Sequence, residues 1–351
     1  MDSTTERPRP LPGWVSGIVS SLTSAAGITI LISLGVAILA VIDSGPFVLV
    51  NSIVTGGMWA LMAAGLSLVF GVMNIVNFAH GELFMIGTLV AYLVFTPLSD
   101  YLDQHPSQFL SAIAPFAGII AAVIIGALVG VVMEKLVFYQ LRKRTKEQWI
   151  MNSFLLTVGV SVIIINGTQM IWGADFKGIP QYWDVPPIDI LGVSISVDRV
   201  VVFFIGLLTM AVFWFYLQRT RTGRAIRAVS QDETGALMVG IDMNRIQVLT
   251  LALSSALAAL AGSSLLFLFP SYPTVGQKPL YIAWYIVILV GMGNVAGALV
   301  GGFIVALLQT LTSFYIGPGW EDVIPTAIVM LILLIKPSGL FGSVVKGIHE
   351  Q

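Results

Sequence analysis

Long apolar runs separated by short polar stretches dominate the chain from residue 25 onward. Ten of them are candidate membrane spans, near Ala25–Ile42, Phe47–Met73, Glu82–Leu98, Phe109–Phe138, Ile150–Trp172, Arg199–Leu217, Ile246–Phe269, Leu280–Val290, Ala296–Ile316 and Val323–Ile335. A helix needs about 20 mostly apolar residues to cross the hydrocarbon core. The eighth run has only about eleven residues and is expected as a short or broken helix. The pattern predicts an all-α polytopic membrane protein with one transmembrane domain over 25–342. Residues 1–24 read as a tail: a disordered start at Arg7-Pro8-Arg9-Pro10-Leu11-Pro12, then Trp14–Ser24 lying flat on the membrane surface. Residues 343–351 form a second tail. No small-x-small cleavage site follows the first run, so it is read as a retained anchor rather than a signal peptide.

Charge placement tests that count independently. With both termini cytoplasmic and ten alternating spans, 14 of the 17 Lys and Arg residues fall on inside segments. They cluster in 134–149 (Lys135, Arg142, Lys143, Arg144, Lys146) and 218–245 (Arg219, Arg221, Arg224, Arg227, Arg245). Only Lys177, Arg199 and Lys278 fall outside. This is the positive-inside bias of a correct topology, and a miscount by one span would split the two basic loops.

Composition narrows the function. The chain has 351 residues, 57% hydrophobic and 10% charged, against roughly 25% charged in soluble domains. A net charge of -1 gives no footprint for nucleic acid. The absence of Cys removes disulfides and thiolate chemistry. His80, His105 and His349 are too scattered to suggest a metal cluster. The expected span interiors carry neutral polar groups (Asn51, Asn152, Asn166, Gln169 and Gln309) rather than charges, while His80 and Glu82 flank the inner start of span three. That pattern argues against a proton- or sodium-driven carrier, which usually keeps ionisable groups within its spans. The glycines, such as Gly126 with Gly130, read mostly as close helix packing. The stretch 270–302 differs: Pro270, Pro273, Gly276 and Pro279 precede the short eighth run and Gly291-Met292-Gly293-Asn294 follows it. Broken helices occur only beside protein or a cavity, so this region is a candidate lining of a transport path.

The longest inside loop, 218–245, holds helix formers and no proline. Asp232 stands where it could cap a second short helix ending at Gly240. Ile226, Val229, Leu237 and Val239 could pack on a partner, while the arginines face acid or water. Contact with anionic lipid is the plainer reading of such a basic loop.

The order of residues resembles something more specific. The run Gly223-Arg224-Ala225-Ile226-Arg227-Ala228-Val229-Ser230-Gln231-Asp232, followed by Ala236 and Gly240-Ile241, resembles the coupling loop of ABC importer permeases of the branched-chain amino-acid (LivH/LivM) type. Three further blocks agree in family order. They are Gly65 to Glu82, closer to the LivH side and containing Asn74, Asn77 and His80; Gly291-Met292-Gly293-Asn294 to Gly301-Gly302; and Lys336-Pro337-Ser338-Gly339-Leu340-Phe341-Gly342. The resemblance spans about 47–342. It departs at Thr234 and Gly235, where the family tends to have Glu and Ala.

The resemblance implies a transport subunit, not an enzyme, in a prokaryotic cytoplasmic membrane. It implies two cytoplasmic ATPase subunits carrying ATP and Mg, a second permease subunit (identical or not) and an extracytoplasmic solute-binding protein. This chain has no G-x-x-x-x-G-K-[ST] and is expected to hold no cofactor. Gly223, Arg224, Ala225, Arg227, Ala228, Asp232, Ala236 and Gly240 would seat on the ATPase. Asn74, Asn77, His80, Glu82, Gly291 and Asn294 are candidates for the pathway or its gate, with a purely structural role the stronger expectation for His80 and Glu82. An uncharged pathway suits branched-chain amino acids. Urea, short amides or another small solute would fit the same machinery. A self-sufficient secondary carrier or channel is the alternative of a different class.

Overall fold

The computed structural model describes residues 25–144, 149–190 and 192–341. The expected tails 1–24 and 343–351 lie outside the described residues. Helix α1 spans Ala25–Ser44, α2 Phe47–Met73, α3 His80–Gln104 and α4 Gln108–Met133. A π-helical turn, Glu134–Phe138, joins α4 to α5 (Tyr139–Arg144). Then come α6 (Trp149–Trp172), a small antiparallel hairpin of β1 (Ile188–Ile190) and β2 (Val193–Ile195), and α7 (Val197–Arg219). Two short helices, α8 (Arg221–Gln231) and α9 (Glu233–Met238), precede α10 (Met243–Ser264), α11 (Gln277–Val290), α12 (Val295–Tyr315) and α13 (Val323–Ile335).

Among the described residues eight helices are long and apolar enough to cross a membrane. Two shorter apolar helices, Gly27–Asp43 and Gln277–Val290, stand beside them. The expected spans start or end within a few residues of these helices, with two informative exceptions. The seventh run does not stay helical to Phe269: α10 stops at Ser264 and the chain continues in turns to Gly276. The third helix begins earlier and runs to Gln104.

Contacts at the two ends of the bundle show that successive long helices run in opposite directions. At the hairpin end, Arg199 donates to Asn51 Oδ1 at 2.6 Å, Trp183 Nε1 to the Ala112 carbonyl at 3.1 Å and Tyr315 Oη to Asp43 at 2.6 Å. At the other end, Trp149 Nε1 donates to the Met73 carbonyl at 3.3 Å, and Leu340 N to the Leu289 carbonyl at 2.7 Å. Asn51 and Gln309, expected within the membrane, belong to the hairpin end. Gln309 donates to Asp322, next to an ion pair of Lys278 with Glu321 at 2.5 Å.

The core is built around α2, nearly all of which is buried from Met58 to Val69 against α10, α11 and α12. It needs small residues because lipid offers no hydrophobic drive to pull helices together, so close backbone approach and dispersion must hold them. Helix α3 crosses α10 backbone to backbone. A Cβ at Gly87 would strike the Ala259 backbone, and one at Gly262 would strike the Phe84 carbonyl. Gly126 and Gly130 of α4 likewise abut Ala259, Ser255 and Leu251 of α10, as their spacing predicts. By contrast α6 and α13 are each only 11% buried over their apolar windows.

At the hairpin end the loop after α6 is tied down from both sides. Tyr182 donates through its hydroxyl to the Ser263 carbonyl and through its backbone to Asp198, both at 2.6 Å. Burial, with Asp198 beside it, pushes the phenol well above its ordinary pKa, which keeps it a donor.

Gly87→Val is expected to destabilise the fold by at least about 2 kcal/mol, because backbone rather than a pliable side chain blocks the new methyls. Gly159→Ala, where a Cβ meets nothing, is expected to be neutral or slightly stabilising. Melting temperatures of the two variants in mild detergent check this.

Candidate functional site

The 220–241 segment is a folded unit. Thr220 caps α8 by accepting from Gly223 N at 2.9 Å. The hydrophobic positions of α8 turn inward, so Ile226 and Val229 are buried against this chain's own α7, α2 and α10 rather than free for a partner. Gly223 is required by contact: a Cβ would hit the Tyr216 carbonyl and the Leu217 backbone. Asp232 joins the two helices in extended backbone, closing α8 and opening α9. It holds the N-cap position of α9, yet its side chain makes no capping bond. Gly235 does not break α9; its missing Cβ leaves room for the Asp232 carboxylate. Ala236 is buried, and Gly240 reverses the chain at φ +82°.

What remains outward is a mixed face. Arg221, Arg224, Gln231, Asp232, Glu233 and Thr234 are exposed. Beside them Leu237, Met238 and Val239 form an apolar tip, with Met238 82% exposed. Arg227 is half-buried and its Nε has no partner among the described residues. Ala225 and Ala228 are partly covered.

A second cluster lies deeper. Asn74 ends α2 in the left-handed conformation at φ 52°, its N–H donating to the Phe70 carbonyl. The chain then runs back alongside the helix it has just left. Phe78 N donates to Thr157 Oγ1 of α6 at 3.2 Å, and the Phe78 ring packs on Phe154 and Trp284. Asn77 is fully buried and accepts from Ala79 N at 3.1 Å. Consequently α3 does not start at the membrane face. His80 Nε2 is 3.1 Å from the Met62 carbonyl of α2, and its Nδ1 lies 3.5 Å from Ser254 Oγ of α10. A carbonyl only accepts, so Nε2 carries the proton and Nδ1 receives the serine hydroxyl. Glu82 accepts from Ser161 Oγ of α6 at 2.5 Å. At a rise of roughly 1.5 Å per residue, Met62, Ser254 and Ser161 stand about 16–18 Å from the ends of their helices on the α8–α9 side. His80 and Glu82 therefore sit near mid-depth, not at the inner boundary that the sequence suggests.

The third cluster joins the break after α11 to the end of the chain. Gly291 and Gly293 take φ of 101° and 83°. Gly293 packs on Gly71 of α2, backbone to backbone, and Gly339 packs on Gly291. Asn294 caps α12 by accepting from Gly297 N at 2.8 Å and donates to the Phe341 carbonyl at 3.3 Å. These contacts lock the break, so Gly291 and Asn294 serve as structural links between α2, α12 and 336–341.

Sequence reasoning missed Ser161, Ser254 and Trp284, the partners of the α2–α3 turn. The usable signal was hydroxyls and an indole inside otherwise apolar helices, which need partners in lipid.

Residues 48–333 match the family described as branched-chain amino acid transport system / permease component. The chain belongs to this family. It is 29% identical over 297 residues to the high-affinity branched-chain amino acid transport system permease protein LivH of Salmonella typhimurium, covering 83% of this chain and 94% of that protein. It is 29% identical over 300 residues to BraD of Pseudomonas aeruginosa, covering 84% and 94%. A shorter similarity, 28% over 142 residues, links it to the ribose import permease protein RbsC of Escherichia coli. No solved structure matches. The family match takes in the α8–α9 unit, the α2–α3 turn and the break after α11.

Asn294→Ala is expected to cost about 1 kcal/mol through loss of the α12 cap. A lower melting temperature, with earlier proteolysis of the segment after residue 335, is the measurement that checks it.

Proposed function

We propose that the chain is the membrane permease subunit of an ATP-driven importer of branched-chain amino acids in a prokaryotic plasma membrane. It crosses ten times, with α1 and α11 as the shorter passes and both termini in the cytoplasm. The domain is single, 25–342, with tails at each end. The α8–α9 unit faces the cytoplasm and seats in a cleft of a separate ATPase subunit, which carries ATP and Mg. A second permease subunit and an extracytoplasmic binding protein complete the machine, and the binding protein largely selects the solute.

The observation that supports this reading is the form of the α8–α9 unit. Its inner face is welded to α7, α2 and α10, so a push on the unit reaches the buried helix α2 directly. Its outer face pairs an apolar tip with exposed arginines, a combination that suits a protein groove better than water. A loop that only touched anionic lipid would not need this rigid seat.

Gly223 is a poor place to test coupling, because any side chain there disrupts the seat on α7. Arg224 and Met238 are exposed and clean. Arg224→Glu and Met238→Asp are each expected to lower ATP-driven leucine uptake at least about tenfold and to weaken co-purification of the ATPase, with the melting temperature of the permease unchanged. Uptake at the parent rate by both variants overturns the coupling role.

A further inference from the structure

The α2–α3 turn carries unpartnered polar atoms that the fold itself does not explain. Glu82 is 2% exposed and bonds Ser161 through one oxygen only; Oε2 has no partner among the described residues. No described Lys, Arg or His forms an ion pair with it. Two donors on the same seam are also unpaired, Asn77 Nδ2 and Trp284 Nε1. They belong together because Phe78, next to Asn77, stacks on Trp284 at 5.8 Å and bonds α6 through Thr157. Glu82 and Phe78 thus reach the same helix one turn apart, at Ser161 and Thr157 of α6, and Trp284 of α11 meets Phe78 there, so the acid and the two residues with free N–H donors belong to one junction near mid-depth.

Groups left unpaired in a membrane interior are expensive, and an acid there points to function. A helix clamp alone would be served by a serine–carbonyl or serine–amide bond. The wall that closes this seam is α6, one of the two least buried long helices, so it is among the elements most free to move. On the hairpin side a cleft of about 350 Å³, lined by Tyr272, Lys278, Tyr281, Ile282, Tyr285 and Asp322, among others, runs along α11 as far as Tyr285, the residue after Trp284.

We infer that the α3–α6–α11 seam is a solute site for the backbone of a zwitterionic amino acid, Glu82 Oε2 receiving the α-ammonium and Asn77 Nδ2 and Trp284 Nε1 receiving the carboxylate. The inference rests on the importer reading above and deepens it, because urea or a neutral amide has no ammonium to neutralise a buried acid. Aliphatic side chains would then lie against Phe78 and Phe154.

The test uses the whole importer (both permeases, ATPase and binding protein) in liposomes. Glu82→Gln keeps an acceptor for Ser161 but loses the charge. Ser161→Ala keeps the carboxyl and loses the strut. Leucine uptake per assembled complex is expected to fall at least about tenfold in Glu82→Gln and less than about threefold in Ser161→Ala, since the first removes the charge that faces the ammonium and the second leaves it in place. Equal losses in the two variants, or parent-like uptake by Glu82→Gln, overturn the site. A second measurement needs no variant: labelling of Glu82 in the parent complex by a hydrophobic carbodiimide, mapped by peptide mass. Leucine delivered by the binding protein is expected to slow labelling at least about threefold, and unchanged labelling overturns the site. Parent uptake that ignores ATP would instead sink the importer reading.

Discussion

Lipid supplies no hydrogen-bond partner, so every backbone polar group that enters the membrane must be paired inside the protein. The rest of this structure depends on that constraint. The chain leaves helical geometry at 74–79, 265–276 and 291–294, and each stretch is packed against protein. Phe78 finds Thr157, the 291–294 break finds Gly71 and Gly339, and Ser271 exchanges two backbone bonds with Lys177. Because α2 passes most of these departures, it is the most buried of the long helices. The glycines follow from the same demand, since backbone can meet backbone only where no Cβ intervenes.

This arrangement divides the molecule mechanically. A dense centre of α2, α3, α4, α10, α11 and α12 is held by close crossings, while α6 and α13 lie on it with most of their surface uncovered. The α8–α9 unit is attached to α7 and, through α2 and α10, to the dense centre. Helix α2 therefore connects that unit to the turn that holds His80 and Glu82. A firm connection beside a loosely held wall suits the alternating access proposed above.

Much of this was legible in the sequence, and the reason is the membrane. Spans such as Phe47–Met73 and Val323–Ile335 end where apolar composition ends, because the hydrocarbon core enforces it. The α8–α9 unit was legible as two short helices meeting at Asp232, through its charge and turn chemistry. Depth was not legible. Nothing local in Asn74–His80 reveals that the chain doubles back before α3 begins, since that path is set by contacts with Met62, Ser254 and Thr157, far along the sequence. The same limit hid the inward facing of Ile226 and Val229, which apolar character alone cannot assign to self or partner.

The central claim is that transport in this chain is driven from outside the chain, through the α8–α9 unit. Leucine flux into liposomes holding the purified permease alone, compared with the complete importer with and without ATP, tests it most directly. The account predicts accumulation only with the complete importer and ATP, and none from the chain alone. Sustained solute movement by the chain alone, indifferent to ATP, would contradict it.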